Sequence, residues 1–547
     1  VILCSIMFVQ TSKTTINGRT YECKTVRESY RTDKGPRSRT VCNISKLPAH
    51  VQDLICAALK NPECRLVPSD LLGLHDAPGF GGVAVLMDAW TRYGLDNVLA
   101  GVEGKLERGR IMAMTFSRHL FPGSKLSLKT SSADSALAAA CGLKQDDLDE
   151  DRLYEAMDAL SGKWVGIEKS LFAGAYTEPP TLVLYDLTSS YFEGAKGKKL
   201  AAYGYSRDHR SDRMQVILAL VTGPDGVPIH VEVLKGNRAD NSTLLPLLET
   251  LRRRFGITKA VFVFDGGMSS SLNLEKMRED ELDYVTRLPA STLKALVRQL
   301  PEDKQPELWD RTDMAEFVVD GIRYVVAGSE HRRKRDMERR ETRISKGRKG
   351  LEHFNTVKRE KIDVQKLASQ VFRMLERSKC LKYFDVRIEE DGKASWSERS
   401  DVIEAEARLD GWYLLTTSLP SEKAPKESIF RHYRNLLEVE DAFRETKNYL
   451  EVRPIYHQKD MRVRNHIRIC FLAYWISARL RREWQQLGEN REVPLVLREL
   501  QQIRIGRLKL GNKIFKTVLT DIPNHLYALL DRLKLLHLFT KVPKWAL

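Results

Sequence analysis

The sequence predicts an α/β protein built around a mixed β-sheet. Three observations carry this. Two short apolar runs, Thr181–Tyr185 and Val261–Phe264, each lead into an aspartate, Asp186 and Asp265. Two further strand-like runs, Arg213–Val221 and Val227–Leu234, lie between them, joined by the turn Gly223-Pro224-Asp225-Gly226. Segments with helical apolar spacing then alternate with strands: Asn241–Phe255 and Ser269–Arg278 read as helices, and Tyr284–Leu288 as a fifth strand.

The order is therefore β-β-β-α-β-α-β. Three antiparallel strands followed by parallel ones joined by helices is the strand order of a ribonuclease-H-like core. Before it, residues 1–48 read as a small β region with hairpin signals at Asn17-Gly18 and Lys34-Gly35-Pro36. Residues 49–176 read as helical, with Ile111–Leu120 and Arg152–Leu160 as clear cases, and are the expected DNA-binding domain. Residues 177–289 are the first part of the core. The pattern breaks over 290–410, where strand-like runs (Phe317–Val326, Tyr383–Ile388) and a basic helix suggest a β-rich insertion. Residues 411–487 return to the core: Trp412–Thr417 reads as a strand, Ser428–Leu450 as one strong helix, and Val463–Trp484 as another. A C-terminal region, 488–547, carries a hairpin signal at Gly511-Asn512 and a last helix near His525–Leu536.

Composition narrows the class. The 547 residues are 42% apolar and 30% charged, as in a soluble globular protein of several domains. The net charge of +16 and pI near 9.3 favour a polyanionic partner, DNA or RNA. The stretch His331–Lys361 holds thirteen Lys/Arg against five acids, half of the whole excess. Arg332, Arg333, Lys334, Arg335 and Arg339 crowd its start, and like charges four apart destabilise a helix unless phosphates relieve them. Arg210 and Arg213 form a smaller basic group, as do Lys196, Lys198 and Lys199. The eight cysteines are scattered without a C-x-x-C pair, which indicates reduced thiols and a cytoplasmic setting. No apolar run reaches membrane-spanning length, so no membrane partner is expected. Val1 precedes Met7, and Met7 is the expected natural start. No G-x-x-x-x-G-K-[ST] loop is present, which argues against ATP use.

The candidate chemistry rests on carboxylates. Tyr433, Glu440 and Lys447 recur at intervals of seven, close to two helical turns, and so stack along one helix face. Asp186 and Asp265 become neighbours if strands one and four pair, and Glu440 supplies a third carboxylate from a helix packed on the sheet. Three such groups suit two Mg²⁺ ions, which take oxygen ligands and assist phosphoryl transfer. Lys447 and Tyr433 would meet DNA phosphates. Singly, each aspartate fits a turn or helix cap equally well, and Glu440 with Arg444 fits an ordinary surface pair. The joint order, with an interruption before the glutamate helix, selects the catalytic reading.

These residues carry a resemblance. The segments Tyr185-Asp186-Leu187-Thr188-Ser189-Ser190-Tyr191-Phe192-Glu193-Gly194, Gly204–Asp208, Lys235–Asn241, Phe264–Met268 and Tyr433–Lys447 with Arg453–His457 resemble bacterial insertion-sequence DDE transposases of the IS-four group, whose core is split by a β-rich insertion. That group's signature runs Tyr, two residues, Arg, three residues, Glu, six residues, Lys. Here the Arg position is Leu436, leaving Arg434 or Arg444 to make its contact. The resemblance implies metal-dependent cleavage and strand transfer at terminal inverted repeats. Asp186, Asp265 and Glu440 would bind two Mg²⁺ (or Mn²⁺), and a homodimer would hold two DNA ends. It also suggests a hairpin intermediate with a base stacked on an aromatic, for which Trp309 and Trp396 are the tryptophans available in the insertion. A nuclease of the same fold that never joins ends, and an inactive DNA-binding regulator, are the competing readings.

Overall fold

The structure is a computed structural model. It describes residues 6–16, 18–32, 35–60, 72–194, 199–289, 292–293, 295–296, 314–357, 362–510 and 513–546. Asn17, Lys34, Lys196, Lys198, Trp309, Gly511 and Asn512 lie outside the described residues. The chain divides into two compact units.

One unit comprises Val1–Pro78 with Arg504–Asp521 and Leu547. It holds an antiparallel meander of Ile6–Ile16, Arg19–Thr32 and Gly35–Asn43, with Val9 opposite Val26, followed by the helix Ala49–Lys60. A second sheet orders Lys513–Leu519, Ile505–Leu510 and Leu72–Asp76. The last of these strands falls where the sequence suggested helix.

The other unit, Gly79–Ile503 with Ile522–Ala546, begins with helices, among them Gly81–Arg92, Lys105–Leu120 and Trp164–Ala175. Its centre is an eight-stranded mixed sheet of β1 (Leu182–Tyr191), β2 (Gln215–Thr222), β3 (Pro228–Lys235), β4 (Val261–Phe264), β5 (Asp283–Leu288), β6 (Met314–Val319), β7 (Ile322–Gly328) and β8 (Trp412–Thr417). The spatial order is β6-β7-β8-β5-β4-β1-β2-β3. β1, β4 and β5 run parallel, with Tyr185 opposite Phe264 and Phe264 opposite Thr286; the other pairings are antiparallel. The first five strands appear in the expected sequence, and β1 and β4 are neighbours as the candidate site requires. Every residue of β2 is buried, which accounts for its unbroken apolar run. The β6–β7 turn places Asp320 and Gly321 at φ +51° and +72°, the left-handed pair that a two-residue hairpin demands.

Helix α1 (Leu244–Phe255) buries Leu244, Leu247, Leu248, Leu251 and Phe255, a 3–4 spacing that lays one face into the core beside Tyr185, Phe262 and Phe264. Helix α2 (Ser271–Glu279) starts where Ser270 Oγ accepts the Asn273 amide.

The stretch expected to be a β-rich insertion is instead mainly helical among its described residues. Helix α3 (Glu330–Thr356), helix α4 (Val364–Arg377) and a short helix at Ser400–Ala407 surround a single hairpin, Phe384–Ile388 with Ala394–Glu398. Leu367, Val371 and Leu375 recur every four residues as the buried face of α4, and Val371 and Leu375 share a core with Ile344 and Leu351 of α3, a helical period that outweighs the local strand-like runs. The run Phe317–Val326 joins the main sheet as β6 and β7. Trp396 packs edge-on against Phe384 in the hairpin core.

The helix expected over Ser428–Leu450 is two helices, α5 (Lys426–Arg434) and α6 (Leu436–Asn448). Asn435, a poor helix former, sits at the junction. The Glu438 amide bonds the Asn435 carbonyl three residues back at 2.9 Å, a tighter turn that changes the phase between them. Helix α7 (Asp460–Gln486) follows and is buried along Val463, Ile467, Cys470, Phe471 and Trp475, as its spacing indicates. No described helix is long and apolar enough to cross a membrane.

Candidate active site beside the parallel strands

Asp186 lies within β1 and not at its end. β1 continues to Tyr191 paired with β2, whereas its parallel neighbour β4 stops at Phe264. Asp186 therefore stands level with the point where β4 gives way to Asp265. That exit is tight: a Cβ on Gly266 would lie 2.8 Å from the Arg287 carbonyl, so only glycine allows the turn. The 3-10 turn Gly266–Met268 carries the chain to α2.

Glu440 reaches the same region from α6, whose buried Val439, Ala442 and Phe443 lie toward β1 and α7. The three carboxylates feel one another. Asp186 is pushed up to about 7, by burial first and then by the charges of Asp265 and Glu440. Glu440 is also raised, by partial burial and then by Asp265 and Asp441. Asp186 Oδ1 accepts the Leu187 amide at 2.7 Å. Tyr433, at the end of α5, directs its hydroxyl to Asp265 Oδ1 at 3.4 Å. Burial, and then the Asp265 charge, holds that phenol protonated well beyond its ordinary range.

Among the described residues, no three His, Cys, Asp or Glu side chains stand in a ready-made metal cluster. The donor set is nonetheless of the kind a hard divalent cation takes, three carboxylates, and a cation would offset both the burial and the neighbouring charges that raise Asp186.

The remaining expected residues are placed as follows. Lys447 is turned inward. Its Nζ donates to Thr188 Oγ1 at 2.6 Å and pairs with Asp208 at 2.7 Å. Arg444 is exposed and pairs with Asp441 at 2.7 Å and Glu492 at 3.5 Å. Arg434 is exposed at the end of α5. Arg210 and Arg213 both pair with Asp212 and Glu193, and Arg210 also lies over the Tyr191 ring. Arg332 pairs with Asp336 at 3.2 Å and lies 4.2 Å over the Tyr413 ring. Arg333, Lys334, Arg335 and Arg339 are exposed on α3 and form no ion pair among the described residues.

Sequence reasoning missed Arg287 and Tyr413. With Phe264 opposite Thr286, Arg287 falls in the same row as Asp265, and its guanidinium covers Tyr413 at 5.4 Å. The Tyr413 ring lies 6.3 Å from that of Tyr433. The available signal was an arginine near the end of the strand that runs parallel to the one leading into Asp265. Asp208, quoted only as part of a motif, is the buried counter-ion of Lys447.

A comparison with curated proteins finds no match. The family model of the transposase DDE domain matches residues 177–476, a span that holds Asp186, Asp265 and Glu440 and covers more than half of the chain, and the protein therefore belongs to the DDE transposase family.

Proposed function

We propose that this protein is an insertion-sequence transposase that cleaves DNA at terminal inverted repeats and joins the freed ends to target DNA. The observation that carries this is the match to the transposase DDE domain over residues 177–476, a span in which Asp186 on β1 stands level with Asp265 at the end of its parallel neighbour β4 and α6, which bears Glu440, packs on β1. We read the sheet and its flanking helices as a ribonuclease-H-like core, and the chain as a bacterial member of the IS-four group with a mainly helical insertion.

Asp186, Asp265 and Glu440 would hold two Mg²⁺ ions, for which Mn²⁺ substitutes. Bound there, the ions supply activation of the attacking oxygen and charge stabilisation at the leaving one. The chain's own groups do the rest. The hydroxyl of Tyr433 fixes the Asp265 carboxylate from outside. Arg287, in the Asp265 row, presents a cation beside Tyr433 and Tyr413. The exposed cations of α3 hold the DNA backbone electrostatically, and Arg444 adds a further contact. Two ends brought together require a homodimer in the DNA-bound state.

The test is cleavage and joining of a labelled transposon-end oligonucleotide with Mg²⁺, wild type against Glu440→Ala. Wild type is expected to cut and join; Glu440→Ala is expected to bind DNA and do neither. Equal activity in both proteins removes Glu440 from the site. Cutting without joining to a 3′-OH donor end supports the nuclease reading instead.

A further inference from the structure

Asp208 is a carboxylate that the proposed chemistry does not use, and its surroundings are unusual. Its side chain is 2% exposed and faces two cations, Lys447 at 2.7 Å and Arg453, whose side chains are 10% and 26% exposed. Its second oxygen, Oδ2, is buried without a hydrogen-bond partner. A buried cation is tolerated only beside an opposite charge, and removing one partner of such a group is far costlier than never having built it. Among the described residues, Asp208 is thus the one carboxylate that pairs with Lys447 and with Arg453.

The segment that carries Asp208 is fastened on several sides. Ser189 Oγ accepts the Arg207 amide at 2.9 Å, Gln215 Nε2 donates to the Tyr205 carbonyl at 3.0 Å, and the Arg207 guanidinium pairs with Asp240 at 2.6 Å. His209 immediately after it adopts φ +56°, a conformation uncommon for a residue with a side chain. The backbone there is held to a shape that buries Asp208.

The position of Lys447 gives this clamp its consequence. Lys447 and Glu440 are seven residues apart on α6 and share a helix face. Thr188, which accepts from Lys447, is two residues beyond Asp186 on β1 and shares its sheet face. The Asp208–Lys447–Thr188 contact therefore ties the helix that carries Glu440 to the strand that carries Asp186, on the faces that present both carboxylates. Arg453, beyond the end of α6, adds a second tie to Asp208.

We propose that Asp208 is a positioning residue for the candidate metal site: by burying Lys447 and Arg453 it clamps α6 onto β1 and sets Glu440 against Asp186. In the DNA-free chain Lys447 is then a strut of the site. This rests on the three-carboxylate reading above.

The experiment uses the full chain and compares wild type with Asp208→Asn, Lys447→Met, the double variant and Thr188→Val. Three quantities are read: Mn²⁺ affinity without DNA by electron paramagnetic resonance of the free ion, amide exchange over 436–448, and affinity for end DNA at several salt concentrations without metal. Asp208→Asn is expected to weaken Mn²⁺ binding by about ten-fold, the scale of losing an outer-shell support of metal ligands. It is expected to speed exchange over 436–448 and leave end binding unchanged. The double variant, which removes the stranded lysine, should bind Mn²⁺ better than Asp208→Asn alone. Thr188→Val should shift Mn²⁺ affinity the same way by less, and decides the matter if Asp208→Asn does not fold.

Wild-type Mn²⁺ affinity and exchange in Asp208→Asn would overturn the proposal. So would a Lys447→Met protein that keeps its Mn²⁺ affinity but loses end binding with a salt slope lower by about one, the mark of a lost phosphate contact. A wild type that binds Mn²⁺ yet neither cuts nor joins DNA defeats the transposition reading and leaves Asp208 to be judged on Mn²⁺ and exchange. A wild type that binds no Mn²⁺ defeats the carboxylate site and Asp208's role together.

Discussion

Asp186 sets folding against the proposed chemistry more directly than any other residue. Its folded-state carboxyl is pushed up to about 7, by burial and then by Asp265 and Glu440, whereas in an unfolded chain an aspartate titrates near about 4. The folded protein therefore holds that proton more tightly. The contribution to stability is full below about pH 4 and is lost as pH rises through about 7. In the absence of metal, the Asp186 contribution is expected to make thermal stability fall between about pH 4 and about pH 7, more steeply in wild type than in Asp186→Asn. Mn²⁺ should raise the melting temperature more at the higher pH, since it binds the ionised carboxylates. Calorimetry at fixed ionic strength reads both effects, and an identical pH slope in Asp186→Asn would refute the assignment. Lys125 gives a second, opposite case. It is buried, its ammonium is lowered to about 7 by burial and then by Arg118, and its Nζ lies 2.7 Å from His466 Nδ1. His466 Nε2 lies 3.1 Å from the Val452 carbonyl, which places the ring proton there and leaves Nδ1 to accept from Lys125. The cost of a buried charge is full below about pH 7 and disappears above about pH 10, where the unfolded lysine is also neutral. Lys125→Met is thus expected to raise the melting temperature at neutral pH, with a gain that shrinks toward about pH 10.

Element by element, what was legible followed local signal. β1, β2 and β4 announce themselves through the apolar runs Leu182–Tyr185, Val216–Val221 and Val261–Phe264, because strands buried on both faces need no alternation. The runs that became β6, β7 and β8 were equally visible as strands. β8 was expected to return to the core; the membership of β6 and β7 in the same sheet was not foreseen, since antiparallel pairing across a long helical excursion leaves no mark in local sequence. The aspartates were found, but Asp186 was placed at a strand end because the apolar run stops there. The strand continues through Thr188, Ser189 and Ser190, whose buried hydroxyls hide it from an apolarity count. The break at Asn435 was hidden for a related reason: its φ of −61° and ψ of −16° are helical, so the change of phase lies in one tightened turn. Fit between α6 and β1 is nevertheless exact enough to test. Ala442 is fully buried on the docking face of α6. Enlarging it by Ala442→Leu should destabilise the fold by about 1–3 kcal/mol through overpacking. It should also weaken Mn²⁺ binding, because lifting α6 moves Glu440 from Asp186. Urea unfolding and metal titration check the two; a loss of stability with unchanged metal affinity would separate Glu440 from the site.

At the scale of the whole molecule, the net charge of +16 says little until the cations are sorted by what already neutralises them. Arg210 and Arg213 share Asp212 and Glu193, Lys447 and Arg453 share Asp208, and Arg332 has Asp336. Arg333, Lys334, Arg335 and Arg339 have no such partner among the described residues and lie exposed on one segment of α3. A cation already paired gains less from a phosphate, since the new contact must replace the old one; an unpaired cation releases DNA counterions at full effect. Composition located the basic stretch but could not sort its members, because pairing is settled by residues far away in the chain. Changing all four to alanine is therefore expected to lower the slope of log affinity against log salt by up to about 3–4, at near 0.9 per phosphate contact. Arg210→Ala with Arg213→Ala should lower it much less, although two charges are removed. Binding to a nonspecific duplex across a salt series measures both. A larger slope change from the Arg210 and Arg213 pair would mean that DNA approaches over the β1–β2 side, and would take α3 out of the interface.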